Sequence, residues 1–142
     1  MKKLVDLKSI CIDTNIFIYF LDPQSPFNSA ASALLGAFAD QNIALSTSTV
    51  TITELLSTKA SDKELASLQE SFLSIPNLRI FDISQEIALL AARFRRESNI
   101  RIIDSLQLAT AIVAKAEAFL TNDQKLKNFK EVKIVALADL KL

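Results

Sequence analysis

The 142-residue chain contains no histidine, one cysteine and one glycine, and its 16 basic residues are balanced by 16 acidic ones. Each shortage excludes a class of function. Without His, and with Cys11 alone, there is no zinc-type ligand spacing and no intramolecular disulfide. A single glycine, Gly36, can build neither a P-loop nor a dinucleotide-binding fingerprint, both of which need several. Zero formal net charge argues against a globally basic nucleic-acid binder, so contact with RNA or DNA would need a local basic patch or bound metal. No apolar stretch is long enough to span a bilayer, and no signal-type apolar region follows the charged start Met1-Lys2-Lys3. The expectation is a soluble cytoplasmic protein of one domain, because half the residues are apolar and fill one sizeable core at this length.

What is present is an alternation of short apolar runs and amphipathic stretches. Ile10-Cys11-Ile12 reads as a buried strand ending at Asp13, with Cys11 packed as a small hydrophobe. Asn15 to Leu21 reads as a helix stopped by Asp22-Pro23. Ser25-Pro26 resembles an N-cap with Pro at the first helical position, leading to Phe27, Ala30, Ala31, Leu34 and Phe38 at helical spacing. Gly36 costs that helix about 1 kcal/mol relative to Ala. Ile43 to Ser46 is a second strand. The Thr-rich stretch after it is ambiguous, because Thr and Val also favour strands; it is read as helical from about Val50. Ser61 and Glu64 form a capping-box pair ahead of Leu65, Leu68 and Phe72. Leu78 to Ile83 is a third strand, and Ser84 caps a helix with Ile87, Leu90, Ala91 and Phe94 facing inward. A helix apolar on nearly all sides, and therefore buried, runs from Asp104 to about Ala116. Ala118 to Thr121 and Val132 to Val135 are the last two strands. The pattern predicts an α/β domain whose central sheet is mostly parallel, with about five strands flanked by helices.

Four acids, Asp13, Glu54, Asp104 and Asp123, stand at the ends or starts of apolar segments. Each has an ordinary reading: Asp13 and Asp104 as helix N-caps, Asp123 as a turn or cap residue, Glu54 as a surface glutamate. Taken together they matter more. Three strand-to-helix junctions and one helix each offer an acid, and parallel crossovers would gather these ends at one edge. Packed carboxylates repel one another, and a hard divalent cation such as Mg²⁺ or Mn²⁺ relieves that repulsion through oxygen ligands. Such a cation supports phosphodiester chemistry by activating water and stabilising the leaving oxygen.

These residues resemble the motifs of the PIN domain family. Ile12-Asp13-Thr14-Asn15-Ile16-Phe17-Ile18 is similar to the family's opening motif, where a strand ends in Asp-Thr-Asn. Thr53-Glu54-Leu55-Leu56 resembles its glutamate-bearing helix, Asp104-Ser105-Leu106-Gln107-Leu108-Ala109-Thr110-Ala111 its third acidic motif, and Leu120-Thr121-Asn122-Asp123 its fourth. Each motif is short, but the four occur in order over nearly the whole chain. The resemblance implies a PIN-like domain over residues 1–142 with Mg²⁺- or Mn²⁺-dependent ribonuclease activity, most like the VapC-type toxins of toxin–antitoxin pairs. It implies Asp13, Glu54, Asp104 and Asp123 as the metal and catalytic set, with Thr14, Asn15, Thr121 and Asn122 orienting the carboxylates. It also implies a homodimer and a small antitoxin bound over the site. One segment departs from the family, which often shows Gly a few residues before the third acid and Leu-Pro directly before it. Here the segment is Glu97-Ser98-Asn99-Ile100-Arg101-Ile102-Ile103, with Asn99 able to replace Gly in a left-handed cap.

Arg93, Arg95, Arg96 and Arg101 cluster before Asp104, and Lys125, Lys127 and Lys130 follow Asp123. Arg95, Arg96, Arg101 and Lys125 are candidates for RNA phosphates; a solvated helix face, with Glu97 as local partner, is the plainer account. Tyr19 could stack a base, although packing with Phe17 and Phe20 is the simpler expectation. Phe27, Leu34 and Phe38 are expected in the core or at a dimer surface. The competing function is a non-catalytic PIN-like module that binds RNA or protein. A phosphatase using Asp13 as nucleophile fits poorly, because residue 15 is Asn where an Asp-x-Asp pair is needed.

Overall fold

The computed structural model describes residues 4–140, so the charged start Met1-Lys2-Lys3 lies outside the described residues. Five strands, β1 (Ser9–Ile12), β2 (Ala44–Ser48), β3 (Leu78–Phe81), β4 (Ala118–Thr121) and β5 (Lys133–Ala136), form one sheet in the order β3-β2-β1-β4-β5. All four pairings are parallel, so the sheet is wholly rather than mostly parallel. Six helices cover it: α1 (Thr14–Leu21), α2 (Asn28–Asp40), α3 (Thr49–Leu56), α4 (Asp62–Leu73), α5 (Gln85–Glu97) and α6 (Ile102–Val113).

The central strands β1, β2 and β4 are buried on both faces over most of their length, while β3 and β5 at the edges are only partly covered. Successive side chains point to opposite faces. Ile10, Ile12, Ala118 and Leu120 pack with Ile16, Phe17, Leu34, Phe38 and Phe72 on one side. Cys11 and Phe119 pack with Ile87, Phe94 and Leu108 on the other. Phe17 meets Phe72 edge-on, with ring centroids 5.1 Å apart. Among the described residues, no helix is long and apolar enough to cross a membrane.

Most helix starts follow from local capping. The side chains of Ser48, Ser61 and Ser84 accept hydrogen bonds from backbone N–H groups of α3, α4 and α5. Three expectations are corrected. Helix α2 starts at Asn28, not at Pro26: Ser25 Oγ accepts from Phe27 N–H and closes a local turn first, and Phe27 offers no side-chain cap. Helix α6 starts at Ile102, so Asp104 is its third residue rather than its first. Asn99 takes no left-handed conformation; the described non-glycine residues with positive φ are Asn42, Asn77 and Lys115.

Candidate active site

From β1 the chain winds through β2 to β3 on one side, then crosses back to β4 and β5 on the other. The crevice outside the carboxyl ends of β1 and β4 is therefore the topological switch point, where open α/β sheets hold their ligands. Asp13 follows β1 and Asp123 stands two residues beyond β4. Asp13 N–H donates to Leu120 O across 2.9 Å, which fixes the two strand ends side by side. Asp104 does not follow a strand, contrary to the sequence expectation. Two helices, α5 and α6, separate β3 from β4, and α6 begins at the same edge because it leads back into β4. Glu54 arrives from α3, which begins directly after β2.

All four acids line one cleft, with Thr14, Asn15, Ile18, Arg101 and Ile103. Each carboxylate is already held. Asp13 Oδ1 accepts from Thr14 N–H at 2.9 Å, and its Oδ2 accepts from the Thr121 hydroxyl at 2.8 Å. Glu54 Oε1 accepts from the Thr14 hydroxyl at 2.6 Å. Asp123 Oδ1 accepts from Lys125 N–H at 3.0 Å and caps a short 3-10 turn, so its ordinary reading and its place in the cleft both hold. Asp104 accepts a two-pronged contact from Arg101, Nε to Oδ2 at 3.0 Å and Nη2 to Oδ1 at 3.4 Å.

Of the four expected supporting residues, three act on the acids. Thr14 and Thr121 donate as above. Asn15 Nδ2 reaches Thr121 Oγ1 at 3.3 Å and Asp13 Oδ2 at 3.5 Å. The Asn122 side chain touches no acid: it donates to the Tyr19 hydroxyl and accepts from Ala138 N–H. Tyr19 itself packs against the core cluster that contains Phe17, its ring tilted on that of Phe27 with centroids 4.7 Å apart.

A buried polar network beneath the cleft was not anticipated. Gln107, wholly buried, donates through Nε2 to Thr14 Oγ1 at 3.1 Å and Thr51 Oγ1 at 2.8 Å, and accepts from Ser48 Oγ at 2.8 Å. The Thr47 hydroxyl donates to Ile12 O. Thr14 and Thr47 thus direct their single hydroxyl protons to Glu54 and to the β1 backbone, leaving Thr51 to donate toward one or both of them. Among the described residues, no buried side-chain nitrogen or oxygen lacks a partner. The sequence carries only a hint: Gln107 is an uncharged amide in a mostly apolar helix, three residues after Asp104, and Thr47 and Thr51 lie in the Thr-rich stretch.

The electrostatics follow from burial. Asp13 is pushed up from 3.8 to about 6, chiefly because it is desolvated; the nearby charges of Asp104 and Glu54 add to the rise, and the Thr121 and Thr14 hydrogen bonds oppose it. The donor set is all oxygen, which suits a hard divalent cation. Yet among the described residues no three carboxylates converge as ligands around an ion.

A wider groove continues from the acids, lined by Arg95, Asn99, Ile100, Arg101, Asp104, Asp123, Lys125 and Leu126. Three of the four basic candidates meet there. Arg96 does not; it lines a mainly apolar groove between α5 and α6, with Ala88, Ala92, Ile102 and Arg95, which lines both grooves. Arg93 is taken up by Glu97 and Glu131, and Lys127 by Asp139.

Comparison with known proteins agrees with this architecture. The VapBC2 structure from Rickettsia felis, bound to a promoter DNA fragment, superposes with a TM-score of 0.74 at 23% identity, covering 90% of this chain and 98% of that one. FitAcB from Neisseria gonorrhoeae gives 0.71 at 23% identity, with 92% and 99% covered. VapC20 from Mycobacterium tuberculosis, a Sarcin-Ricin loop cleaving toxin, gives 0.68 at 16% identity, with 87% and 98% covered. At these identities the likeness shows the fold. No curated protein sequence matches significantly. The PIN domain family model matches residues 10–132, nearly the full length that carries the sheet and all four acids, and the chain belongs to the PIN domain family.

Proposed function

We propose that the chain is a divalent-metal-dependent endoribonuclease hydrolysing RNA phosphodiester bonds, and the toxin of a type II toxin–antitoxin pair. The observation that carries this reading is the delivery of four acids to one cleft by four separate parts of the chain, at the switch point of the sheet. Asp13, Glu54, Asp104 and Asp123 are the residues that would hold Mg²⁺ or Mn²⁺. When bound, such a cation supplies an activated water and charge stabilisation at the leaving oxygen. The chain's own contribution is preorganisation. Thr14 and Thr121 fix the Asp13 and Glu54 carboxylates by hydrogen bonds, and Gln107 fixes Thr14 from below. The raised proton affinity of Asp13 reflects chiefly its burial, with the neighbouring charges of Asp104 and Glu54 adding to it, and a bound cation would offset that cost. Arg95, Arg101 and Lys125 line the adjoining groove and are placed to meet phosphates of a bound strand.

The toxin reading is supported by neighbours that are toxin–antitoxin complexes, including one from Klebsiella pneumoniae. Apolar side chains at the rim are consistent with a protein partner covering the site: Ile18 and Ile103 line the acid cleft and are 43% and 39% exposed. A homodimer belongs to the same proposal. The second reading, a non-catalytic RNA-binding or protein-interaction module, draws on the carboxylates' failure to converge as they stand.

The deciding experiment incubates the purified protein with structured RNA and single-stranded DNA, in Mg²⁺, Mn²⁺ or EDTA, beside Asp13→Asn and Asp104→Asn. The expected result is RNA cleavage that needs metal and falls to the EDTA background in both variants. Folded protein that neither cleaves nor binds metal would establish the non-catalytic module instead.

A further inference from the structure

The Arg101–Asp104 pair is asymmetric: the arginine side chain is 77% exposed, whereas the Asp104 side chain is 8% exposed. Arg101 is the N-cap residue of α6, but its side chain makes no capping hydrogen bond. It reaches over the first turn instead and engages both oxygens of Asp104. The guanidinium also lies in the field of Asp123 and Glu54, which together with Asp104 strengthen its hold on its proton. One exposed cation therefore faces three of the four acids, from the solvent side of the cleft that all four line. It engages both Asp104 oxygens, the atoms that would hold a metal ion. A guanidinium and a divalent cation at the same carboxylate repel each other, and with no metal the buried Asp104 has Arg101 as its charge partner.

We propose that Arg101 is a built-in counter-cation of the acid cluster: it pairs with Asp104 in the metal-free protein, competes with the divalent cation for that carboxylate, and must swing away as the cation enters. The proposal rests on the metal reading above and adds to it that the chain itself sets the cation concentration at which the site fills. The side chain is mostly exposed and already lines the wider groove, so it can leave Asp104 toward solvent without disturbing the core. In that position Arg101 faces solvent and strand phosphates rather than Asp104.

The test is a titration of the full chain with Mn²⁺ alone, followed by electron paramagnetic resonance of the free ion, for wild type, Arg101→Gln, Arg101→Lys and Asp104→Asn. Arg101→Gln is expected to bind Mn²⁺ more tightly than wild type, by up to about fivefold, the range of a solvent-exposed ion pair. Arg101→Lys should fall between the two, and Asp104→Asn should bind weakly. Thermal unfolding gives a second readout. In EDTA, Arg101→Gln should melt below wild type because Asp104 has lost its partner, and saturating Mn²⁺ should close that gap. Equal or weaker Mn²⁺ affinity in Arg101→Gln overturns the competition while leaving the metal site in place. Absence of Mn²⁺ binding in all four proteins overturns both the competition and the metal reading.

Discussion

Gln107 makes three hydrogen bonds in a place closed to solvent, and its amide ties α6 to β2, α1 and α3 at once. Gln107→Leu keeps the approximate volume but strands the Ser48 hydroxyl and takes a donor from Thr14 and Thr51. The expected cost is about 1–3 kcal/mol, measured by urea unfolding, with activity falling further because Thr14 loses its anchor under Glu54. A variant as stable and active as wild type would show the network to be dispensable. Asp13 gives a pH signature. Its folded value of about 6 lies above the ordinary 3.8, so the folded state keeps a proton that the unfolded state has lost. This group therefore weakens the metal-free protein as pH rises from about 4 through 6, by on the order of 3 kcal/mol in all. Unfolding in EDTA at pH 5 and pH 7.5 should show wild type losing more stability than Asp13→Asn over that interval; parallel profiles would dismiss the claim. The acids were legible from their places beside apolar runs. The polar layer beneath them was not, since Thr and Gln give no periodic signal and acquire meaning only when β2, α3 and α6 meet.

At the scale of elements, the strands and most helix starts could be read because serine caps and apolar runs act locally. Ser61 and Ser84 cap as their positions suggested. The misplaced starts have equally local causes. Ser25 bonds within its own turn, and Asn28 directs its amide to Tyr19 O and Phe20 O at the end of α1, so the chain settles that junction before α2 begins. The placement of Asp104 could not be read from its neighbours: the acid reaches the sheet edge because α6 leads back into β4, a matter of topology. Gly36 offers a clean test of intrinsic propensity. It is exposed in the middle of α2, its φ is not positive, and a Cβ there meets nothing within 4 Å. Gly36→Ala is expected to stabilise the protein by about 1 kcal/mol with no change in activity, read from the denaturation midpoint. A loss of stability would mean that this face of α2 is covered by something in solution.

For the whole molecule, zero net charge and a locally basic groove coexist because Arg95, Arg101 and Lys125 are gathered beside the acids while other cations are neutralised elsewhere. Under the proposed function, RNA affinity should depend on position more than on total charge. Lys125→Glu is expected to flatten the dependence of log affinity on log salt by about 0.7 for each phosphate that the lysine no longer neutralises. Arg96→Glu changes net charge equally but lies in the α5–α6 groove, and should leave the slope near that of wild type. Identical slopes in the two variants would remove the groove as the path of the strand. Arg95 lines the groove beside the acids as well as the α5–α6 groove that it shares with Arg96, a difference between sequence neighbours that was invisible before the helix placed them.

Cys11 sits on β1, the middle strand of the sheet, fully buried, and desolvation pushes its thiol up to about 12. Being the only thiol in the chain, it makes the protein its own reporter of opening. A thiol reagent in solution can modify it only after the central strand is exposed. The labelling rate therefore counts excursions that breach the heart of the sheet and ignores fraying at the edges. Under the proposed function, binding of metal, strand or partner at the rim just beyond β1 is expected to slow that rate, a readout that needs no change to the sequence.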